Sequence, residues 1–531
     1  MYEKIKKTVP WVCIAGGYLW AIWYHIFRGR LMLDSDISAE MVLSDLLNKE
    51  HSITGLSTGW IYSTGLRFLE MQWLFRFGLL LSPGDWHIAR TIAMAIALAL
   101  MVAAVCLIFY AIDRPDWGKW AAAMVIFPGG GWYFWQTIYG GQYTPYILIS
   151  LFSTAFILLA SKEPKTLRSR ICIAALLILG AASGINGIKQ LMVYHAPLCI
   201  TALCVFLIEL RKTGERGESL DTVIHSRRFR FAVLSWGADA CAVAGYLVNK
   251  LILSGIYQFE QYESTVIDYK SFFEFVRLFI WSYGFAEGKA LMSPVGIASM
   301  LGVVFGLIVA LSAIVLVCRL RSLSEGDQML TLLAVISILF CCFVFSYISG
   351  HGAIQYFQPV LPFGCFLVVI MVCNAVSVGE ETKFPLMIGI MCVLLLTSMG
   401  TVHNEQDDPV HKVRAKSGLG PVVDLLVEQG YTQGVSFFWT SDVVTELSDG
   451  RIEMWTLSDE SPDIMVSRLQ KTEHLDHSPE GRYFYLFDVS DKESEFFEDK
   501  INVGLSYIAA HSEPAGLSVV YEDENYVVYG N

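Results

Sequence analysis

Charge is scarce over most of this chain. Only 17% of its 531 residues are Asp, Glu, Lys or Arg, while 54% are hydrophobic and 13% aromatic, which excludes an ordinary soluble globular protein. Cysteine is absent after Cys392. All 12 cysteines lie between Cys13 and Cys392, in or beside apolar runs, with no metal-ligand spacing and no disulfide framework. The chain also lacks an internal repeat, a low-complexity tract and a basic patch of the kind that binds nucleic acid, which argues against that partner class.

What is present instead is a series of apolar runs, each long enough to cross ~30 Å of hydrocarbon as a helix. We expect about eleven spans: 9–27, 87–112, 120–138, 144–160, 171–186, 197–210, 231–255, 293–318, 329–348, 359–376 and 385–402. Basic residues mark alternate connections: Lys4, Lys6 and Lys7; Arg114 and Lys119; Lys162 to Arg170; Arg211 to Arg230; Arg319 and Arg321; and Lys383. By the positive-inside rule those face the cytoplasm. The opposite set, including Leu31–Trp86, Tyr257–Met292 and Ser349–Gln358, faces outward. The first span is followed by Arg28 and Arg30 rather than a small-residue cleavage site, so it reads as a retained helix and not a signal peptide.

The character changes at His403. Residues 403–531 hold 25 acidic residues against 9 basic ones, a net of −16, which leaves +4 for the first 402 residues of a chain whose total is −12. Helix-like stretches near 421–428, 441–447 and 462–469 alternate with strand-like ones at 434–439, 451–457 and 483–489, and 517–529 reads as a hairpin. The expected fold class is therefore a polytopic α-helical membrane protein, residues 1–402, with a soluble extracytoplasmic α/β domain over 403–531. No catalytic arrangement stands out in that domain, and a structural or acceptor-docking role is expected for it.

The first outward loop, 31–86, is long and organised. Asp34-Ser35-Asp36 opens it just after the first span. Ile37, Met41, Leu43, Leu46 and Leu47 alternate with polar residues as a short amphipathic helix, for which Ser35 or Asp36 is a plausible N-cap. Trp60–Phe77 is a second, aromatic-rich segment, and both segments have the composition to lie at the membrane interface. On residues alone the acidic pair reads either as solvated helix caps or as catalytic carboxylates.

A first span, an acidic pair at 34 and 36, Ala39-Glu40 on an interfacial helix, the aromatic stretch 60–77 and then a span with an early Arg90 together resemble the GT-C membrane glycosyltransferases. The protein mannosyltransferase and lipid A aminoarabinose transferase branches are included in that likeness. Gly140 to Pro145 and Gln355-Tyr356-Phe357 with Pro359 and Pro362 resemble bacterial members, and Phe437 to Gly450 resembles some of their tails. The resemblance implies an inverting transfer of a sugar from a polyprenyl-phosphate-linked donor to an extracytoplasmic glycan, protein or lipid acceptor, in the plasma membrane of a bacterium. Asp34 is expected as the general base, with Asp36 orienting the acceptor or sharing a divalent ion; the hard oxygens of the pair suit Mg²⁺ or Mn²⁺, although two residues do not specify a metal site.

One departure bears on the chemistry. Family members carry an Arg soon after the acidic pair to meet the donor phosphate, and here Ile37 stands instead. A leaving phosphate needs nearby positive charge, so we expect it from Arg67, Lys189, His195, Arg277, Lys289 or His351. Glu40, Arg90, Gln355 and Tyr356 complete the expected substrate-binding set. A lipid or glycan transporter, or a non-catalytic envelope assembly component, is the competing reading.

Overall fold

The structure, a computed structural model, describes residues 2–127, 129–217, 219–260, 272–347, 356–357, 360–375, 379–406, 418–458, 466, 468–489 and 516–531. Among the described residues, eight helices are long and apolar enough to cross a bilayer: Trp86–Ala111, Thr144–Lys162, Leu167–Asn186, Ile188–Glu215, Arg227–Gly255, Pro294–Cys318, Glu325–Phe345 and Glu381–Glu405. This is an integral membrane protein. The chain divides into two compact units, one of residues 1–21, 96–252 and 263–404, the other of 22–95, 253–262 and 405–531. The tail portion of the second unit starts at 405, and the unit also takes in residues 22–95 and 253–262.

The other three expected spans are helical but different in kind. Tyr2–Arg28 is 27 residues long, with its aliphatic content diluted by Trp11, Tyr18, Trp20, Trp23, Tyr24 and His25. Leu361–Cys373 has 13 residues, almost all buried. The expected span at 120–138 is broken: Pro115–Ile126 ends before the triple glycine, and the chain resumes at Gly131–Tyr133 and runs into a π-helix over Phe134–Tyr139. A Cβ on Gly130 would stand 2.7 Å from the Ser282 carbonyl oxygen and 2.9 Å from that of Trp281, so the break and a close approach coincide there.

Lys189 and His195 were expected in a loop. They lie instead in a continuous helical segment, where Ile188–Gln190 leads into a π-helix over Leu191–His195 and then Ala196–Glu215. Gly187, at φ +124°, ends the preceding helix and lets the chain restart at once. That preceding helix, Leu167–Asn186, packs closely on Arg227–Leu251 through small residues. A Cβ on Gly184 would meet the Ala242 carbonyl oxygen at 1.9 Å, and one on Gly245 the Ala181 carbonyl oxygen at 2.1 Å.

In the second unit a five-stranded sheet runs in the order β4-β3-β6-β8-β7, with β3 Gln433–Phe437, β4 Glu453–Leu457, β6 Tyr483–Asp488, β7 Ser518–Glu522 and β8 Tyr526–Gly530. β3 pairs parallel with both β4 and β6, and β8 is antiparallel to β6 and β7. Parallel neighbours need a crossover. The helix Phe438–Leu447 provides it between β3 and β4, and Leu419–Glu428 precedes β3. Most of the expected helix at 462–469 lies outside the described residues.

A smaller sheet, β2-β1-β5, joins β1 Trp60–Tyr62 of the first loop to β2 Gln258–Phe259 and β5 Gln470–Lys471 of the tail. The aromatic stretch 60–77 is therefore not one interfacial segment. It starts as a strand, turns through Arg67 at φ +54°, and becomes helical only in Gln72–Leu81. The expected amphipathic helix forms as Ser35–Lys49, but it is largely buried against Phe438–Leu447 and Gln72–Leu81. Buried partners for its polar residues, described below, hold it inside the unit.

The contact at Gly184 is with backbone, which cannot move aside as a side chain does. Gly184→Leu is predicted to destabilise the membrane unit by about 1–3 kcal/mol or more, seen as a lower unfolding temperature of the full chain in nanodiscs, whereas Gly214→Leu, with no atom near its would-be Cβ, should leave it unchanged.

Candidate active site

Asp34 is the N-cap of the Ser35–Lys49 helix, in place of the expected Ser35 or Asp36. Its backbone is extended at φ −129°, ψ 170°, and its Oδ1 accepts the Ile37 N–H at 2.8 Å. The cap succeeds because an acceptor side chain outside the first turn can meet an amide that has no intrahelical partner. Asp34 is buried, and Asp36, within the first turn, is more exposed.

One turn further, Glu40 is 3% exposed and accepts the Arg67 Nη1 at 2.9 Å. Arg90, 2% exposed, meets the tail. Its Nε donates to Glu446 Oε1 at 2.6 Å and its Nη2 to Glu446 Oε2 at 2.8 Å, while Nη2 also reaches the Ile37 carbonyl at 3.1 Å. The guanidinium lies over the Phe75 ring at 4.7 Å. This bidentate geometry is what a buried guanidinium requires. Asp442 sits one turn before Glu446 on the same helix and is 4% exposed.

The second unit thus brings Asp36, Glu40, Asp442 and Glu446 within electrostatic reach of one another and of Arg67 and Arg90. Arg67 pairs with Glu40 and Arg90 with Glu446. Burial pushes the Asp442 carboxyl well above the ordinary range, the charges of Asp36 and Glu446 push it further, and Arg67 only partly opposes them. Burial raises Glu40 as well, against the lowering influence of Arg67 and Arg90. Glu40 Oε2 and Asp442 Oδ2 are buried with no hydrogen-bond partner among the described residues. These are groups that can accept from, or when protonated donate to, a ligand that enters.

In the first unit, two expected residues far apart in sequence meet. Lys189 Nζ lies 5.5 Å from the centre of the Tyr356 ring, and that ring stacks on Phe345 at 4.8 Å and meets Tyr143 edge-on at 6.1 Å. His195 is engaged elsewhere, with its Nδ1 2.9 Å from Asp239 Oδ1 and its Nε2 2.8 Å from Ser183 Oγ. Arg277 is exposed, donates to Glu287 Oε2 at 3.0 Å and stacks over Trp281. Lys289 is exposed. His351 and Gln355 lie outside the described residues.

Among the described residues, the group whose His and carboxylate ligand atoms all fall within 4.8 Å of one another is Glu453, Glu473 and His474, not a set built on Asp34 and Asp36. One nitrogen and two oxygens are a donor set that borderline metals accept. Here Lys471 already bonds to Glu453, and the His474 hydrogen bond, with Lys471 after it, holds that carboxyl down at about 2. A metal would have to displace that ammonium.

Sequence reasoning missed Asp442, Glu446 and Asp239. Asp442 and Glu446 lie in the tail phrase that resembled other members, but nothing in their spacing says that they face Arg90. Between the unfolded carboxyl value of ~3.9 and its raised folded value, Asp442 holds more proton in the native state than in the unfolded one. Its stabilising contribution is therefore intact below about pH 4 and is lost as pH rises. Asp442→Asn is predicted to unfold at a higher temperature than wild type near pH 8, and the two melting curves should converge near pH 4.

No protein-family model and no curated protein sequence matches the chain. Solved structures do. ArnT from Cupriavidus metallidurans, crystallised bound to undecaprenyl phosphate, superposes with a TM-score of 0.58 at 12% identity over 98% of both chains. The apo oligosaccharyltransferase of Archaeoglobus fulgidus superposes with a TM-score of 0.50 at 12% identity over 94% of this chain and 71% of that one. Both are GT-C proteins, and the likeness runs through the membrane helices and the strand-containing tail alike. The chain has the GT-C fold.

Proposed function

We propose that this protein is a membrane glycosyltransferase that moves a sugar from a polyprenyl-phosphate-linked donor to an acceptor hydroxyl outside the plasma membrane of a bacterium. The observation that carries the reading is likeness over nearly the whole of both chains to a structure solved with undecaprenyl phosphate, together with an acidic pair at the head of the first-loop helix. The amino terminus is cytoplasmic and the tail extracytoplasmic, as the distribution of basic residues requires.

Asp34 is the base. Its cap hydrogen bond fixes the carboxylate's direction, so no orientational freedom has to be lost at the moment of reaction. Asp34 takes the proton of the acceptor hydroxyl as that oxygen bonds the anomeric carbon and the C–O bond to the lipid phosphate breaks, which inverts the anomeric centre. Positive charge has to offset the leaving phosphate, and Arg67 and Arg90 are the expected cations that belong to the same compact unit as Asp34. Mg²⁺ or Mn²⁺ bound at Asp34 and Asp36 would add charge against the same phosphate.

Asparagine caps a helix about as well as aspartate but cannot act as a base. Asp34→Asn is therefore predicted to melt with wild type yet lose transfer from a radiolabelled polyprenyl-phosphate sugar by about 100-fold or more. Asp34→Ala should lose transfer and also about 1 kcal/mol of stability. Wild-type turnover in Asp34→Asn would remove Asp34 from the chemistry.

A further inference from the structure

The tail carries a group of side chains that the proposed transfer chemistry leaves unused. Glu453 opens β4, the edge strand of the five-stranded sheet, and Glu473 and His474 lie in the short 3-10 helix Thr472–Leu475 that follows β5. One ligand atom from each of the three falls within 4.8 Å of the other two. His474 Nε2 lies 3.1 Å from Glu453 Oε1, close to the ~3.3 Å that separates two ligand atoms of a tetrahedron with zinc bonds of about 2.0 Å.

The imidazole is held on every side. His474 is 4% exposed, and Trp455 stacks on it with ring centres 4.3 Å apart, which fixes the plane of the ring. Gln470 Oε1 accepts the Thr456 N–H at 3.3 Å and faces His474 Nδ1 at 3.3 Å, while Gln470 Nε2 donates to the Val466 carbonyl. The amide thus turns its oxygen to the imidazole, and Nδ1 carries the hydrogen. A neutral His474 then aims its Nε2 lone pair at a carboxylate oxygen, acceptor against acceptor. An imidazole with its Nδ1–H held by an amide oxygen and its Nε2 converging with carboxylates has the setting of a metal-ligating histidine and its outer shell.

Charge also favours a cation. Glu453 and Glu473 bring two negative charges and Lys471 one positive charge, so with a neutral imidazole the group is one positive charge short. Lys471 bonds to Glu453 and stands 3.4 Å from Glu473, and its ammonium therefore bridges the two carboxylates as an ion would. Lys471 is partly exposed and Glu473 exposed, which gives the ammonium a way out to water and an ion a way in.

We propose that Glu453, Glu473 and His474 bind a borderline divalent ion of the zinc kind, with Lys471 displaced and water completing the coordination. The ion ties the edge of the large sheet to the turn beyond β5, and β5 pairs with Trp60–Tyr62 of the first loop, so the site fastens the small sheet to the large one. The test uses the full-length protein in nanodiscs, freed of metal by a chelator, titrated with Co²⁺ and read by the visible absorption of the bound ion and its displacement by Zn²⁺. His474→Gln should abolish the signal. Gln470→Ala, which leaves all three ligands in place, should weaken binding by about 10–100-fold, and His477→Gln, at an exposed position nearby, should leave it unchanged. Lys471→Met removes the competing ammonium from a partly exposed position and should tighten binding, an outcome that an unfolded variant does not give. A signal that survives His474→Gln and disappears in Asp36→Asn would put the ion at the first-loop pair and overturn the proposal, as would the absence of bound Co²⁺ in both wild type and Lys471→Met.

Discussion

A guanidinium cannot leave water unless something replaces the water on each of its donors, and the second unit is arranged around one that has left it. Arg90 is buried, and it is stable there because Glu446 meets it with both oxygens and the Ile37 carbonyl takes a further N–H. Those partners come from two segments far apart in sequence: the first-loop helix and the crossover helix of the tail sheet. The same side chain therefore holds both helices in register. Asp442 lies beside the acidic head of the first-loop helix as a direct result, since it stands one turn before Glu446.

That register brings more acid than base into a buried place. Arg67 pairs with one oxygen of Glu40 and Arg90 with both of Glu446, while Glu40 Oε2 and Asp442 Oδ2 have no hydrogen-bond partner among the described residues. A surplus of buried carboxyl groups is expensive as structure alone, because apolar packing of the same volume would serve stability as well or better. It leaves those buried carboxyl oxygens of Glu40 and Asp442 with no hydrogen-bond partner among the described residues. The tail is thus part of the acidic site and not an appendage that follows the membrane region.

The membrane unit obeys a different constraint. With no hydrophobic gain from bringing helices together in lipid, close approach depends on small residues, and Gly184 and Gly245 set their carbonyl neighbours at distances no side chain would allow. Of the two π-helical segments, 134–139 runs up to the Gly140 to Pro145 motif and 191–195 ends on His195. An extra residue in a helical turn redirects side chains without ending the helix, and the second of these segments directly follows Lys189.

Long apolar runs, the acidic tail, the strands at 433–437, 453–457 and 483–488, and the helix after Asp34 were all legible in the sequence, because period and composition encode them locally. The cap itself was misplaced by one or two residues, since Asp34, Ser35 and Asp36 all have side chains that can accept the amide and only backbone geometry distinguishes them. Lys189 and His195 fell between the expected spans 171–186 and 197–210, whereas the left-handed backbone at Gly187 lets the helix restart at once. Neither the Arg90–Glu446 pair nor the strand contributed by Trp60–Tyr62 could be read, because pairings across hundreds of residues leave no periodic trace.

The most direct test of the central claim is a double-mutant cycle across Arg90 and Glu446, using Arg90→Met and Glu446→Leu in the full chain in nanodiscs. If the pair holds the two helices together, each single variant should lose about 3–5 kcal/mol because it strands a buried charge, and the double variant should recover most of that loss. Losses that simply add in the double variant would mean that the two residues do not meet, and would contradict the assignment of the tail to the acidic site.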